Sequence, residues 1–442
     1  MKALTGDIAN FIEFLDKTPT PFHVFSELYE SLEAAGCKMI TLSEVSSCER
    51  GKPYCIPYGD SALLAFFAGE SAPQKDPGRL LIGAAHVDYP VFKIKNTKLR
   101  KGNGVLRMNI EMYGGAIVHP WLDRALKIAG RVYFKKDGKL SFADIGDFGK
   151  RFVIPNAAIH MNRSINDGAK FSIQNQLLPF FGLESESGEE AFAEMVAAKV
   201  SEVSGVSALT PKDIMSFDLS LVIADGASLC GASDEFVLAQ GLDDRGMIYT
   251  LFSGFNGSLK DGAANASTGD VRLAFAFNHE ECGSETDVGA KSAFASEAVK
   301  SIAGRFFPDE HYLDVCRRSL LLSADMGHAT HPSFPEYSDS TSPIELGKGI
   351  VLKTTWNQSY ATKAEPMAEF ASFCEENNIP FQRFSPHSDN RGGGTIGPML
   401  SASLGIRTCD IGIPLLAMHS PKELGTVSDH VTTAKLFKAF FS

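Results

Sequence analysis

The sequence has no CxxC pair, no run approaching the ~18 apolar residues of a membrane span, no tandem repeat and no low-complexity segment. Positive charge is also short, since Lys and Arg number 42 against 53 Asp and Glu, for a formal net charge of −11. Each absence excludes something. Without a positive field, nonspecific binding to nucleic acid or anionic lipid has no electrostatic basis, and an acidic substrate needs a local cation. The eight cysteines stand singly at 37, 48, 55, 230, 282, 316, 374 and 409, so they read as reduced thiols rather than a disulfide framework. The opening Met1-Lys2-Ala3-Leu4-Thr5-Gly6-Asp7 leads into an amphipathic helix with no charged-then-apolar signal segment. A cytoplasmic location is the expectation, with neither membrane nor nucleic acid as partner.

What is present suits a globular protein: 44% hydrophobic and 21% charged residues over a length that exceeds one ordinary core. Ile8, Phe11, Ile12 and Leu15 share a helical face, and Thr18-Pro19-Thr20-Pro21 ends that run before a second helix bearing Val24, Leu28 and Leu32, with Gly36 as its stop. Leu63 to Ala68 and Leu80 to Ala85 are short apolar runs of the kind buried in a central sheet. From about Asn96 to Gln240 the texture changes to short strand-like pieces and glycine turns, with one strong helix carrying Phe192, Met195, Val196 and Val200. This reads as an inserted, mainly β domain. Arg272 to Phe277 and Leu320 to Ala324 then return to strand character, and helical patterns alternate with strands up to Ala434, Phe437 and Phe441. The alternation predicts an α/β fold. The expected division is catalytic domain over 1–95 and 239–442, with the insertion over 96–238.

Five points that follow apolar strand-like runs carry metal-ligand chemistry: His86-Val87-Asp88, Gly241-Leu242-Asp243-Asp244, His279-Glu280-Glu281, Asp325-Met326-Gly327-His328 and Met418-His419-Ser420. Singly, each is more often a solvated loop. Together, at strand ends where an unpaired carboxylate is costly to bury, they point to a metal that compensates them. Zn²⁺ accepts imidazole nitrogen and carboxylate oxygen and keeps a position open in catalytic sites. Two histidines and three acids, one of them bridging, would supply two ions and leave Glu280 free as general base.

At these residues the sequence resembles the M18 metallopeptidases, the aspartyl aminopeptidases. The resemblance runs from Phe14-Leu15-Asp16-Lys17-Thr18-Pro19-Thr20-Pro21-Phe22-His23 through Tyr113-Gly114-Gly115, Trp121-Leu122-Asp123-Arg124 and Ala129-Gly130-Arg131-Val132. It continues in Ile154-Pro155, Ala158-Ile159-His160, Arg163-Ser164-Ile165-Asn166, Ser323-Ala324-Asp325-Met326, Gly394-Thr395-Ile396-Gly397-Pro398 and Met418-His419-Ser420. It implies an α/β/α catalytic domain with a central mixed sheet, interrupted by a dimerisation domain. One zinc would be held by His86 and Asp325, the other by Glu281 and His419, with Asp243 bridging and Mn²⁺ or Co²⁺ able to substitute. Glu280 matches the general base, Asp88 the acid that orients a ligand imidazole, and His328 and Lys353 substrate-contacting positions. His160 would reach the active site of a neighbouring subunit, within dimers assembled into a dodecamer. The implied activity is removal of N-terminal residues from peptides, with Lys353 favouring Asp or Glu.

Departures from the family pattern include His86-Val87-Asp88-Tyr89-Pro90, Asp244 in place of Asn, Asn278-His279 and Ser420-Pro421-Lys422-Glu423. None removes a ligand, but Tyr89, Ser359 and Lys422 leave a broad-specificity or neutral-residue aminopeptidase as the alternative. A non-catalytic protein stabilised by metal is the alternative of another class. Gly392-Gly393-Gly394-Thr395 lacks the P-loop lysine and reads as a tight turn, Cys282 as a packed thiol and His331 as structural.

Overall fold

Period-two alternation in the apolar runs sorts their side chains onto two faces of a sheet. In the computed structural model, which describes residues 5–70, 78–265, 268–390 and 392–442, Leu63, Ala65 and Phe67 join one buried cluster while Leu64, Phe66 and Ala68 join another. Leu81 and Ala85 divide from Leu80, Ile82 and Ala84 in the same way. Because both faces are covered, these strands read in sequence as unbroken apolar runs.

Among the described residues the central sheet has nine strands, in the order Lys38–Met39, Pro53–Tyr58, Ala62–Ala68, Val271–Phe277, Leu80–His86, Leu320–Ala324, Arg407–Gly412, Ile350–Lys353 and Phe381–Phe384. Four neighbours, Val271–Phe277, Leu80–His86, Leu320–Ala324 and Arg407–Gly412, run parallel. An antiparallel pairing closes this block on each side, which makes the sheet mixed. The register sets Phe277 beside His86 and Ala324 beside Ile411. Four strands therefore end along one edge, and the loops leaving them carry His86, Glu280 and Glu281, Asp325 and His419. Converging strand ends are where such sheets collect ligands.

Helices Thr5–Lys17, Pro21–Ala34, Leu242–Lys260, Ala364–Glu376 and Val427–Phe441 cover one face, and Ala293–Phe306, Tyr312–Arg318 and Gly397–Leu404 the other. Two of them cross closely at Gly254, where an added Cβ would lie 2.5 Å from the Phe437 Cβ and 2.7 Å from the Lys438 backbone nitrogen. Alanine favours helix over glycine by about 1 kcal/mol, but overpacking costs about 1–3 kcal/mol, and backbone cannot rotate aside. Gly254→Ala is expected to destabilise by up to about 2 kcal/mol, seen as a lower urea midpoint with an unchanged slope.

The second unit is built on five antiparallel strands in the order Lys139–Ile145, Leu126–Lys136, Ile214–Ile223, Val91–Ile94 and Ile110–Tyr113. Helix Ala191–Ser204 packs on it through Phe192, Val196 and Val200, in an apolar cluster that runs from Tyr89 to Ile223. Val91–Ile94 falls ahead of the 95/96 boundary expected from sequence, yet it pairs in this sheet. Phe236–Ala239 pairs with Glu423–Thr426. We propose limits near Tyr89 and Ala227, because strand pairing rather than texture decides membership. No described helix is long and apolar enough to cross a membrane. The first four residues of the N-terminal reading, Met1 to Leu4, lie outside the described residues.

Candidate metal centre

His86 closes its strand with Nδ1 at 3.1 Å from the Asp88 carbonyl and 3.3 Å from the Asp88 carboxylate. Burial opposes ionisation of Asp88, but the bonds from His86 and Tyr113 hold its carboxyl down at about 2. Both neighbours of Nδ1 can only accept, so Nδ1 carries a proton and Nε2 is left for a second proton or a cation. That Nε2 faces Asp243 Oδ1 at 3.7 Å. His419 repeats the arrangement: Nδ1 is 3.1 Å from the Gly115 carbonyl, while Nε2 is 3.3 Å from Asp243 Oδ2 and 3.4 Å from Glu281 Oε1. Two imidazole Nε2 atoms thus face the two oxygens of one carboxylate; burial opposes charge on either ring, but the surrounding carboxylates raise His86 and hold His419 up at about 10. Lone pair against anion is repulsive unless a proton or a cation lies between.

The ligand atoms fall into overlapping sets whose members lie within 4.8 Å of one another: His86, Asp243, Asp244 and Asp325; His86, Glu280 and Glu281; and Asp243, Glu281 and His419. Every metal ligand expected from sequence is brought into these sets. Buried Oδ1 atoms of Asp243 and Asp244 have no hydrogen-bond partner, a costly state for a carboxylate. Burial, with neighbouring anions adding, raises Glu281 to about 10 and Glu280 to about 7, and pushes Asp325 upward. The cluster is short of positive charge. Nitrogen and oxygen donors without thiolate suit zinc, and also Mn²⁺ or Co²⁺. Cys282 supplies no sulfur ligand; it is exposed rather than packed, and its Sγ donates to the His279 carbonyl at 3.6 Å. Left-handed backbones at His279 and Gly283 flank this short segment.

Asp88 does more than orient His86. Its Oδ1 accepts from the Glu280 N–H at 3.0 Å, and its Oδ2 from the Glu281 N–H at 3.1 Å and the Tyr113 hydroxyl at 2.6 Å. Asparagine cannot accept at both positions. Asp88→Asn is expected to lower zinc affinity or kcat/KM by about 10–100-fold, measured by zinc titration and by peptide turnover at saturating zinc.

Two carboxylates were not assigned from the sequence. Asp244 accepts from the His86 backbone N–H at 3.1 Å and belongs to the largest ligand set. Glu423, buried at the start of its strand, accepts from His419 N–H at 2.6 Å and Asp243 N–H at 3.0 Å. The Asp-Asp doublet signalled the first, and only closeness in sequence to His419 the second. The Phe14 to His23 segment also gains a role. Arg245 donates to the carbonyls of Leu15 and Thr18 at 2.7 Å each and lies 4.8 Å over the Tyr89 ring, while Tyr89 donates to the Pro19 carbonyl at 2.6 Å. The N-terminal helix is thereby tied to the loop that carries Asp243.

Lys353 is no solvated surface lysine. It is 3% exposed, donates to the Met326 carbonyl at 2.8 Å and Asp325 Oδ1 at 3.4 Å, and lies 5.3 Å over the Tyr360 ring. His328 is exposed on the short strand Gly327–His328 that follows Asp325. His160 is exposed on a turn, and among the described residues no hydrogen bond or ion pair joins it to the cluster. His331 accepts from the Ser333 N–H at 3.1 Å and rests against Phe334, as a structural histidine would. Thr395, after the three glycines, donates to buried Asp410.

The family model for the Aminopeptidase I zinc metalloprotease (M18) matches residues 14–441. The chain belongs to the M18 family. This M18 aminopeptidase is 34% identical over 433 residues to the probable M18 family aminopeptidase 2 of Pseudomonas syringae pv. syringae strain B728a, covering 98% of this chain and 97% of that one. It superposes on a chain of the cryo-EM structure of the Ape4 and Nbr1 complex with a TM-score of 0.92 and 30% identity, over 99% of this chain and 86% of the other. The S. cerevisiae mApe1 dodecamer gives 0.83 at 26% identity, over 98% and 95%. The M18 enzyme is thus a zinc-dependent aminopeptidase, a hydrolase of the exopeptidase kind, on an α/β scaffold with a large mixed sheet.

Proposed function

We propose that the chain removes N-terminal residues, with preference for Asp and Glu, using two zinc ions bridged by Asp243. One observation carries the two-ion reading: Asp243 Oδ1 faces His86 Nε2 at 3.7 Å and Oδ2 faces His419 Nε2 at 3.3 Å. His86 and Asp325 would hold one ion, with Asp244 beside them, and Glu281 and His419 the other. Zinc held there supplies Lewis-acid activation of a water and of the scissile carbonyl. Glu280, fixed through its own N–H to Asp88, takes the proton of the attacking water and returns it to the leaving amine. A non-catalytic scaffold has no use for such a carboxylate.

Acid preference rests on Lys353. An ammonium has three donors, and two of its are taken by Met326 and Asp325. The third is the group proposed for the substrate carboxylate, and exposed His328 lies on the adjoining segment. The same burial favours a second reading, in which Lys353 only steadies Asp325 and specificity is broad. Kinetics of Asp-, Glu- and Leu-terminal peptides with Lys353→Met separate them. Acid recognition predicts a loss of about 10-fold or more confined to Asp and Glu, the size of one charged hydrogen bond. Equal losses on all three peptides, or fastest cleavage of Leu in the unmodified enzyme, would sink it.

His160, exposed and joined to the cluster of its own chain by no hydrogen bond or ion pair among the described residues, is proposed to complete the site of a neighbouring subunit. The mApe1 dodecamer supports a homo-oligomer here. Eight free thiols suit the reducing cytoplasm.

A further inference from the structure

The backbone of His419 is left-handed, with φ of 67°, a conformation a histidine adopts only when its surroundings impose it. Glu423 holds its N–H. Two further contacts come from the second structural unit. Ile117 donates its N–H to the His419 carbonyl at 3.0 Å, and the Gly115 carbonyl faces His419 Nδ1 at 3.1 Å. Between these points the chain is a short strap. Its near end is strand Ile110–Tyr113 of the five-stranded sheet, and its far end enters the turn His119–Trp121, whose tryptophan is wholly buried against Phe92. The strap is therefore anchored at both ends in a unit that contributes no proposed metal ligand. Ile117 keeps its side chain 46% exposed, so its backbone is what the strap uses.

We infer that Gly115–Ile117 is a positioning strap for His419, which couples the inserted β unit to retention of the ion shared by His419 and Glu281. This rests on the two-ion reading. The Gly115 carbonyl fixes the ring proton on Nδ1 and aims Nε2 at Asp243 and Glu281, while the Ile117 N–H holds the strained backbone in place. The His86 half is oriented instead by Asp88 and Asp244, and the second unit's hydrogen bond to it among the described residues comes from Tyr113.

Zinc stoichiometry by equilibrium dialysis, with the visible absorption of the Co²⁺-loaded protein as a second readout, tests the assignment. Ile117→Pro deletes the N–H and Ile117→Ala keeps it. Gly115→Val places a branched side chain where a Cβ already lies 3.5 Å from His419 Nδ1, whereas Gly115→Ala makes only ordinary contact there. The unmodified protein, Ile117→Ala and Gly115→Ala should hold two ions. Ile117→Pro and Gly115→Val should keep one tightly and bind the second about 10–100-fold more weakly, with a changed Co²⁺ spectrum. Two ions at unchanged affinity in both variants would overturn the strap, as would loss of both ions together or loss of fold in both variants. A single ion in the unmodified protein would instead defeat the two-ion reading. The strap would then stand or fall on whether Ile117→Pro weakens that ion.

Discussion

Glu280→Gln is expected to lower kcat by about 1,000-fold, inside the 10²–10⁴ range of a lost general base, and to leave zinc content and KM nearly unchanged. Glutamine keeps the shape and the backbone N–H to Asp88, but its amide cannot take a proton at neutral pH. The test is sharp because Glu280 also lies within ligand distance of His86 and Glu281. If zinc is lost with the activity, Glu280 is a ligand and the base must be sought elsewhere. Metal analysis beside steady-state kinetics separates the outcomes.

Asp243→Ala should have the larger effect on metal. A ligand shared by two ions takes both with it, so affinity at each position is expected to fall by more than about 100-fold, beyond the loss typical of an outer-sphere partner. Activity should drop on the order of 10⁴-fold or more, since neither water nor carbonyl is then activated. His419→Ala, in contrast, should release only one ion. Retention of one ion at full affinity in Asp243→Ala would show that the carboxylate serves a single position, and the bridge would be withdrawn.

The clustering of the proposed ligands was legible because acids and histidines interrupt apolar runs at the points where strands end, as at Ala84-Ala85-His86 and Ser323-Ala324-Asp325. A sheet buried on both faces leaves no other reading for such runs. Glu423 and the strap were not legible, for a physical reason: each acts through backbone N–H or carbonyl groups, which every residue possesses. A glutamate one turn from His419 looks like any surface acid until the register of Phe236–Ala239 against Glu423–Thr426 turns it inward. Sequence texture starts the inserted unit at 96 where we propose Tyr89, on similar grounds, because Val91–Ile94 is as apolar as a central-sheet strand and only its partners differ. The burial of Lys353 against Asp325 was not foreseeable from sequence.

The proposed ligands lie far apart along the chain, from His86 to His419, and the Asp243 loop is further tied to Leu15 and Thr18 by Arg245. During synthesis at roughly 5–20 residues per second, His86 would wait on the order of 20–60 s for His419 to emerge. No partly made chain can assemble both half-sites, so newly synthesised peptides nearby are safe from it. On the two-ion reading, hydrolytic competence would wait at least for His419.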